Sequence, residues 1–206
     1  MSPLLKSLVL SAPIMLSTAS LANAWGFDST VTSQLTTAVK LEVVLSEDLA
    51  HRADNLPEKL SDRSGGGGRS TAFSDNGHYG ERDLNRLQER LEKRLSKQFM
   101  KRGIELSADA PTVLRVTLED VKNNRPTFRQ LGQDPGLSYS SIGIGGAEID
   151  AELITAGGAS LGTMTYEWYE DDFRDAQFAG TWTDTHRAID RFAKRAAKNL
   201  AAGSQS

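Results

Sequence analysis

No cysteine occurs anywhere in the 206 residues. Its absence removes disulfides, thiolate metal sites, a thiol nucleophile and a lipidated N-terminal cysteine from consideration. Charge of one sign is lacking too: 24 Lys and Arg stand against 27 Asp and Glu, a formal net charge of −3. That balance creates no field of one sign to draw nucleic acid or an anionic membrane. Histidine is scarce, and His51, His78 and His186 are scattered over two loops and a helix start. There is no H-E-x-x-H pattern for zinc and no G-x-S-x-G elbow for a serine nucleophile. Asp184 and Asp190 lie near enough in sequence to raise the pKa of His186, but a histidine on a helix surface reads first as plain solvent.

A long hydrophobic run is also missing. The apolar stretch 8–16 is interrupted by Pro13 and falls far short of the ~20 residues a spanning helix needs. Lys6 precedes it and Ala22-Asn23-Ala24 follows, with small residues at the −3 and −1 positions of an A-x-A-like cleavage site. The pattern predicts a signal peptide over 1–24, cut between Ala24 and Trp25. The mature chain is expected in the periplasm or secreted, soluble after cleavage and without a transmembrane segment. Residues 25–37 read as a polar N-terminal segment, 38–201 as a single domain and 202–206 as a frayed tail.

What is present is patterned. Val39, Leu41, Val43 and Leu45 alternate with Lys40, Glu42 and Val44, which predicts a strand. Residues 50–80 hold Pro57, four consecutive glycines at 65–68 and many polar residues, the composition of a flexible loop. Arg69-Ser70 follows the glycines where a phosphate-binding loop needs Lys-Ser/Thr. Over 82–102, Leu84, Leu87, Leu91, Leu95 and Phe99 recur at spacings of three and four, the stripe of an amphipathic helix that Gly103 ends. Its basic residues Arg86, Arg90, Lys93, Arg94 and Lys97, interleaved with Glu89 and Glu92, read first as a solvated face.

Leu114, Val116 and Leu118 mark a second strand over 112–121. The polar connection 123–141, with Pro126 and Pro135, is longer than compact domains usually tolerate. The glycines at 143, 145 and 146 predict a bulge or a close backbone contact. A hairpin follows. Ala147, Ile149, Ala151 and Leu153 oppose Glu148, Asp150 and Glu152, and Met164, Tyr166 and Trp168 oppose Thr163, Thr165 and Glu167. The turn lies at Ala156-Gly157-Gly158-Ala159. Thr183-Asp184 is expected to cap a last helix with Ala188, Ile189, Phe192, Ala196 and Leu200 inward. The expected fold is α+β: a two-layer sandwich of an about four-stranded, mainly antiparallel sheet and two long helices, in the order β-α-β-β-β-α.

This layout resembles the DUF3313 family of uncharacterised bacterial envelope domains, many of them lipoproteins. The resemblance rests on a helix ending in glycine, the strand Val113-Leu114-Arg115-Val116-Thr117-Leu118, and the hairpin strand Ala147-Glu148-Ile149-Asp150-Ala151-Glu152-Leu153. The chain departs from that family in lacking the lipobox cysteine. The resemblance implies scaffolding or binding in the cell envelope and offers no catalytic residues.

No catalytic signature and no cofactor motif emerges, so the chain is expected not to be an enzyme. The expected role is an exported binding or assembly module with an envelope protein as partner; self-association stays open. The candidate partner-binding segment is the acidic and aromatic stretch Tyr169, Glu170, Asp171, Asp172, Phe173, Phe178 and Trp182. The competing candidate is a divalent-cation or hydrolytic site on Glu148, Asp150 and Glu152, whose i, i+2 spacing puts neighbouring acids roughly 7 Å apart on one face. Against it stands a solvated sheet face screened by Arg115 and threonines.

Overall fold

A computed structural model describes residues 26–32, 35–56 and 77–202. The cleavage-site residues Ala24 and Trp25, the glycine run 65–68 and most of the tail lie outside them. The elements are β1 (Gly26–Ser29), β2 (Val39–Leu45), α1 (Glu47–His51), α2 (Glu81–Lys101), β3 (Thr112–Lys122), α3 (Phe128–Gln133), β4 (Gly146–Thr155), β5 (Ser160–Tyr169), α4 (Phe173–Ala176) and α5 (Thr183–Ala202). They form an α+β fold with one five-stranded sheet in the order β1-β5-β4-β3-β2. No helix among the described residues is long and apolar enough to cross a membrane.

The strand count is a correction to the expected four. β1 adds to the free edge of β5, with Phe27 opposite Tyr166 and Ser29 opposite Met164. Four residues hold too few alternations to declare a strand; an edge template decides it. At the other edge β2 runs parallel to β3, while the remaining pairs are antiparallel. A parallel pair needs a long crossover, which α2 and its flanking loops supply.

The alternating positions sort as the sequence predicts. Leu114, Val116, Leu118, Ala147, Ile149, Ala151, Leu153, Met164 and Tyr166 are buried on one sheet face. Against them pack the α2 stripe from Leu84 to Phe99 and, from α5, Ala188, Ile189, Phe192, Ala196 and Leu200, all buried. At ~25 cal/mol per Å² of apolar area removed from water, this cluster is the main source of stability.

The helix ends follow local chemistry. At the C-terminus of α2, Gly103 adopts φ 72°. The Ile104 N–H donates to Phe99 O (3.0 Å) and the Gly103 N–H to Met100 O (3.2 Å), a Schellman closure. Within segments read as loop, Ser46 caps α1 by accepting from the Leu49 N–H at 3.2 Å. Thr127 and Gln130 form a reciprocal capping box on α3. The expected cap on α5 differs: the Thr183 hydroxyl accepts from the Gly180 N–H at 2.8 Å, and the Asp184 carboxylate turns into a polar cluster. The predicted turn holds, with Gly158 at φ 82°. The register shifts fall at 118/120 in β3 and 153/154 in β4, away from the glycine stretch.

Candidate binding surfaces

The glycine stretch before β4 does make the close contact expected of it. A Cβ on Gly145 would come within 2.6 Å of Asn124 Oδ1, and one on Gly146 within 2.3 Å of Trp168 O. Asn124 is buried at the hub of a polar cluster. Its Oδ1 accepts from the Asp184 N–H (3.0 Å), and its amide donates to Gly143 O (3.2 Å) and to the Asp184 carboxylate. Its own backbone joins Thr181 O and the Gly143 N–H. Arg187 Nη1 reaches Asp184 Oδ1 at 2.8 Å and lies 3.7 Å from Glu170 Oε2. Next door, Asn123 donates to Gln130 Oε1 (2.7 Å) and to Arg125 O (2.8 Å). Buried polar groups of this kind are costly unless paired, so this cluster fixes the path of residues 123–145.

Arg125 extends that framework to the surface. Its guanidinium donates to Ala179 O (3.3 Å), Gln177 O (2.5 Å), Ser140 O (3.1 Å) and Ser141 O (3.4 Å). One side chain thereby ties the chain on both sides of Phe178 to the chain beside Tyr139. Phe178 is 93% exposed, Phe128 80% and Tyr139 66%. Phe128 and Tyr139 stack edge-on, with ring centroids 6.0 Å apart and planes at 77°. Large exposed aromatics held on a hydrogen-bonded frame lose little entropy on docking, the property of binding anchors.

The predicted aromatic segment is only partly the surface expected. Phe178 is exposed, and Asp171 is solvent-facing. Trp182 is a correction: it is 9% exposed, packs edge-on to Tyr79 at 5.8 Å and donates from Nε1 to Asp83 Oδ1 at 3.4 Å. Tyr169 is a strand residue whose hydroxyl donates to Asp120 Oδ2 at 2.8 Å. Glu170 is turned towards Arg187, and Asp172 caps α4 and pairs with Arg174 at 2.7 Å. The Phe173 side chain lies outside what the structure describes. Phe128 and Tyr139 were missed because they sit in a polar connection with no periodicity. The available signal was two aromatics in a stretch too long for a simple link.

On the open sheet face, Glu148, Asp150 and Glu152 do lie side by side along β4. Register puts Glu148 directly between Asp120 and Glu167, Asp150 between Thr117 and Thr165, and Glu152 between Arg115 and Thr163. Burial first, then Glu167 and Asp120, pushes the Glu148 carboxyl above its usual range. Burial also raises Asp150, and burial together with Asp150 raises Glu119. Arg115 turns to Glu42 at 3.4 Å, and Asp120 takes Arg52 at 2.7 Å. Among the described residues, no group of three or more His, Asp or Glu is arranged to hold a metal ion.

His186 also departs from expectation. Burial and the neighbouring Arg90 outweigh Asp190, and its pKa falls to about 4. Asp190 itself is engaged by Arg94 Nε at 2.9 Å and Arg90 Nη2 at 3.3 Å.

No family model matches the chain, so the DUF3313 resemblance rests on sequence pattern alone. No curated protein matches it either. Solved structures that align with most of the chain include a dodecamer of a PelC point variant from Paraburkholderia phytofirmans, at 12% identity over 88% of this chain and 98% of that one, TM-score 0.42. Protein XCC0632 from Xanthomonas campestris, of DUF330, aligns at 11% identity over 85% and 90%, TM-score 0.45. A minor lipoprotein from Acinetobacter baumannii aligns at 11% identity over 78% and 92%, TM-score 0.30. Identities and TM-scores this low assign neither a family nor a role.

Proposed function

We propose that this chain is an exported, non-catalytic binding module of the bacterial envelope that docks a protein partner through Phe128, Tyr139 and Phe178. The observation that carries the reading is their exposure on a frame where Arg125 bonds four backbone carbonyls. A rigid rim with apolar tips is suited to contact, and desolvating a few aromatics supplies most of the energy of many interfaces. Export is read from the A-x-A-like site ending at Ala24.

The test is site-specific photocrosslinking in envelope fractions from cells expressing the full chain, with the crosslinker at Phe128 or Phe178. The expected result is one discrete adduct, lost when the other two aromatics are replaced by alanine and retained when Asp150→Asn is made on the sheet face. An adduct indifferent to the aromatic substitutions would overturn the assignment. Recovery of the chain only in the cytoplasm would overturn the export reading.

A further inference from the structure

The two outward surfaces of this fold carry opposite charge. The open sheet face presents Glu148, Asp150 and Glu152 on β4 with Glu119 and Glu167 on the flanking strands. None of Glu148, Asp150, Glu152 and Glu167 has a cation in salt-bridge contact among the described residues, because Arg115 is drawn to Glu42. Two of these acids, Asp150 and Glu152, line a shallow depression of about 390 Å³ on this face together with Arg115, Ala151, Met164 and three threonines. On the opposite side of the molecule, Arg86, Arg90, Lys93, Arg94 and Lys97 line an open groove of about 410 Å³ along α2, with Glu89 the only acid among the described lining residues. Arg90 and Arg94 are held by Asp190, which leaves Arg86, Lys93 and Lys97 without a partner among the described residues.

We propose that copies of this chain associate head to tail, the basic α2 surface of one copy seated on the acidic sheet face of the next. The dimensions agree. From Glu148 to Glu152 the acidic row runs roughly 13 Å at strand spacing. The basic row from Arg86 to Lys97 runs about 16 Å at helical rise. Burial disfavours the ionised forms of Glu148, Asp150 and Glu119, and neighbouring carboxylates add to this for Glu148 and Glu119; a cationic surface offsets that like-charge repulsion. Two different patches on one chain make a heterologous contact, which yields rings when the rotation closes and filaments when it does not. The contact is independent of the aromatic rim, so either proposal can fail alone.

The experiment is sedimentation velocity on the full mature chain at about 20 mM and at about 0.5 M NaCl, where screening shortens from roughly 20 Å to a few ångströms. Association at low salt, reduced about tenfold or more in affinity at high salt, is expected. Two variants carry the decision: Arg86→Glu/Lys93→Glu/Lys97→Glu on the helix, and Glu148→Lys/Glu152→Lys/Glu167→Lys on the sheet. Circular dichroism checks that each folds; should the sheet variant not fold, Glu148→Gln/Glu167→Gln takes its place and is expected to weaken association. Each Lys or Glu variant alone is expected to be monomeric, and mixing the two is expected to restore association, because each supplies the sign that the other lost. A wild-type chain monomeric at low salt overturns the proposal. So does association that neither salt nor the variants disturb. A chain that stays monomeric but binds added poly-lysine assigns the sheet face to a foreign cationic partner and overturns it equally.

Discussion

Asn124 and Asp184 close on each other twice: the Asp184 N–H donates to Asn124 Oδ1 at 3.0 Å, and the Asn124 amide donates to the Asp184 carboxylate. The contact joins the end of β3 to the first turn of α5 across sixty residues of chain. Gly145 lies against the same carboxamide and has no room for a Cβ. Asn124→Ala therefore leaves one oxygen of a buried carboxylate and two backbone groups, the Asp184 N–H and Gly143 O, without their side-chain partner. A loss of about 2–4 kcal/mol in urea unfolding is expected. Gly145→Ala is expected to cost about 1–3 kcal/mol through overpacking. If either change leaves the unfolding midpoint in place, the cluster is not what holds this end together.

A second tie joins the buried Arg52 to the half-buried Asp120, with Asp48 as a further, exposed ion-pair partner of Arg52. Arg52 Nη2 lies 2.7 Å from Asp120 Oδ1, and the Tyr169 hydroxyl takes the other oxygen at 2.8 Å. Removing one member of such a pair leaves a charge without compensation, a loss of about 3 kcal/mol. Arg52→Leu alone should therefore destabilise strongly, while Arg52→Leu with Asp120→Leu should recover much of the loss. A double-mutant cycle with a coupling energy near zero would contradict the pairing.

His186 titrates low, at about 4, because burial and Arg90 disfavour its cation. The unfolded chain protonates this histidine near 6.5, before the folded chain does. Stability at this site is therefore complete above pH ~6.5 and is lost as pH falls towards ~4. His186→Gln is expected to remove that loss. Discounted for solvent contact, the difference is on the order of 1–2 kcal/mol between about pH 7 and pH 4.5. Chemical denaturation of both proteins over that range measures it, and identical slopes would place His186 in ordinary solvent.

Glu148 has the opposite sign. Its folded pKa is raised, by burial and then by Glu167 and Asp120, so the ionised form costs stability. The cost is full above the folded pKa and disappears below the usual glutamate value. Glu148→Gln is expected to raise stability at neutral pH by about 0.2–1 kcal/mol, the scale of a like-charged cross-strand pair. The gain should fade on acidification. Melting midpoints in Ca²⁺ and in EDTA are expected to coincide, and a Ca²⁺-dependent rise abolished by Asp150→Asn would instead make this face a cation site.

The aromatic rim should be energetically silent in the isolated chain. Phe128→Ala, Tyr139→Ala and Phe178→Ala each remove an exposed ring. Changes within about 0.5 kcal/mol are expected. A loss well beyond that would mean the rings pack on their own fold and are not free to dock.

The parts governed by neighbours along the chain can be read from its residues. Leu84 to Phe99 repeat with the helical period, and Ala147 to Leu153 alternate with the strand period. Each pattern names its own buried face before any partner is known. Gly103 and the 156–159 turn were legible for the same reason, since a positive φ selects glycine locally. Tertiary structure alone decided what depended on distant partners. β1 exists because β5 offers an edge, and Trp182 is buried because Tyr79 and Asp83 lie above it. His186 titrates low because packing buries it and, second, because α2 brings Arg90 to it across nearly a hundred residues. Hydrogen bonds such as those of Asn124 and Arg125 leave no period in a sequence, so the exposed rim they support became visible only in three dimensions.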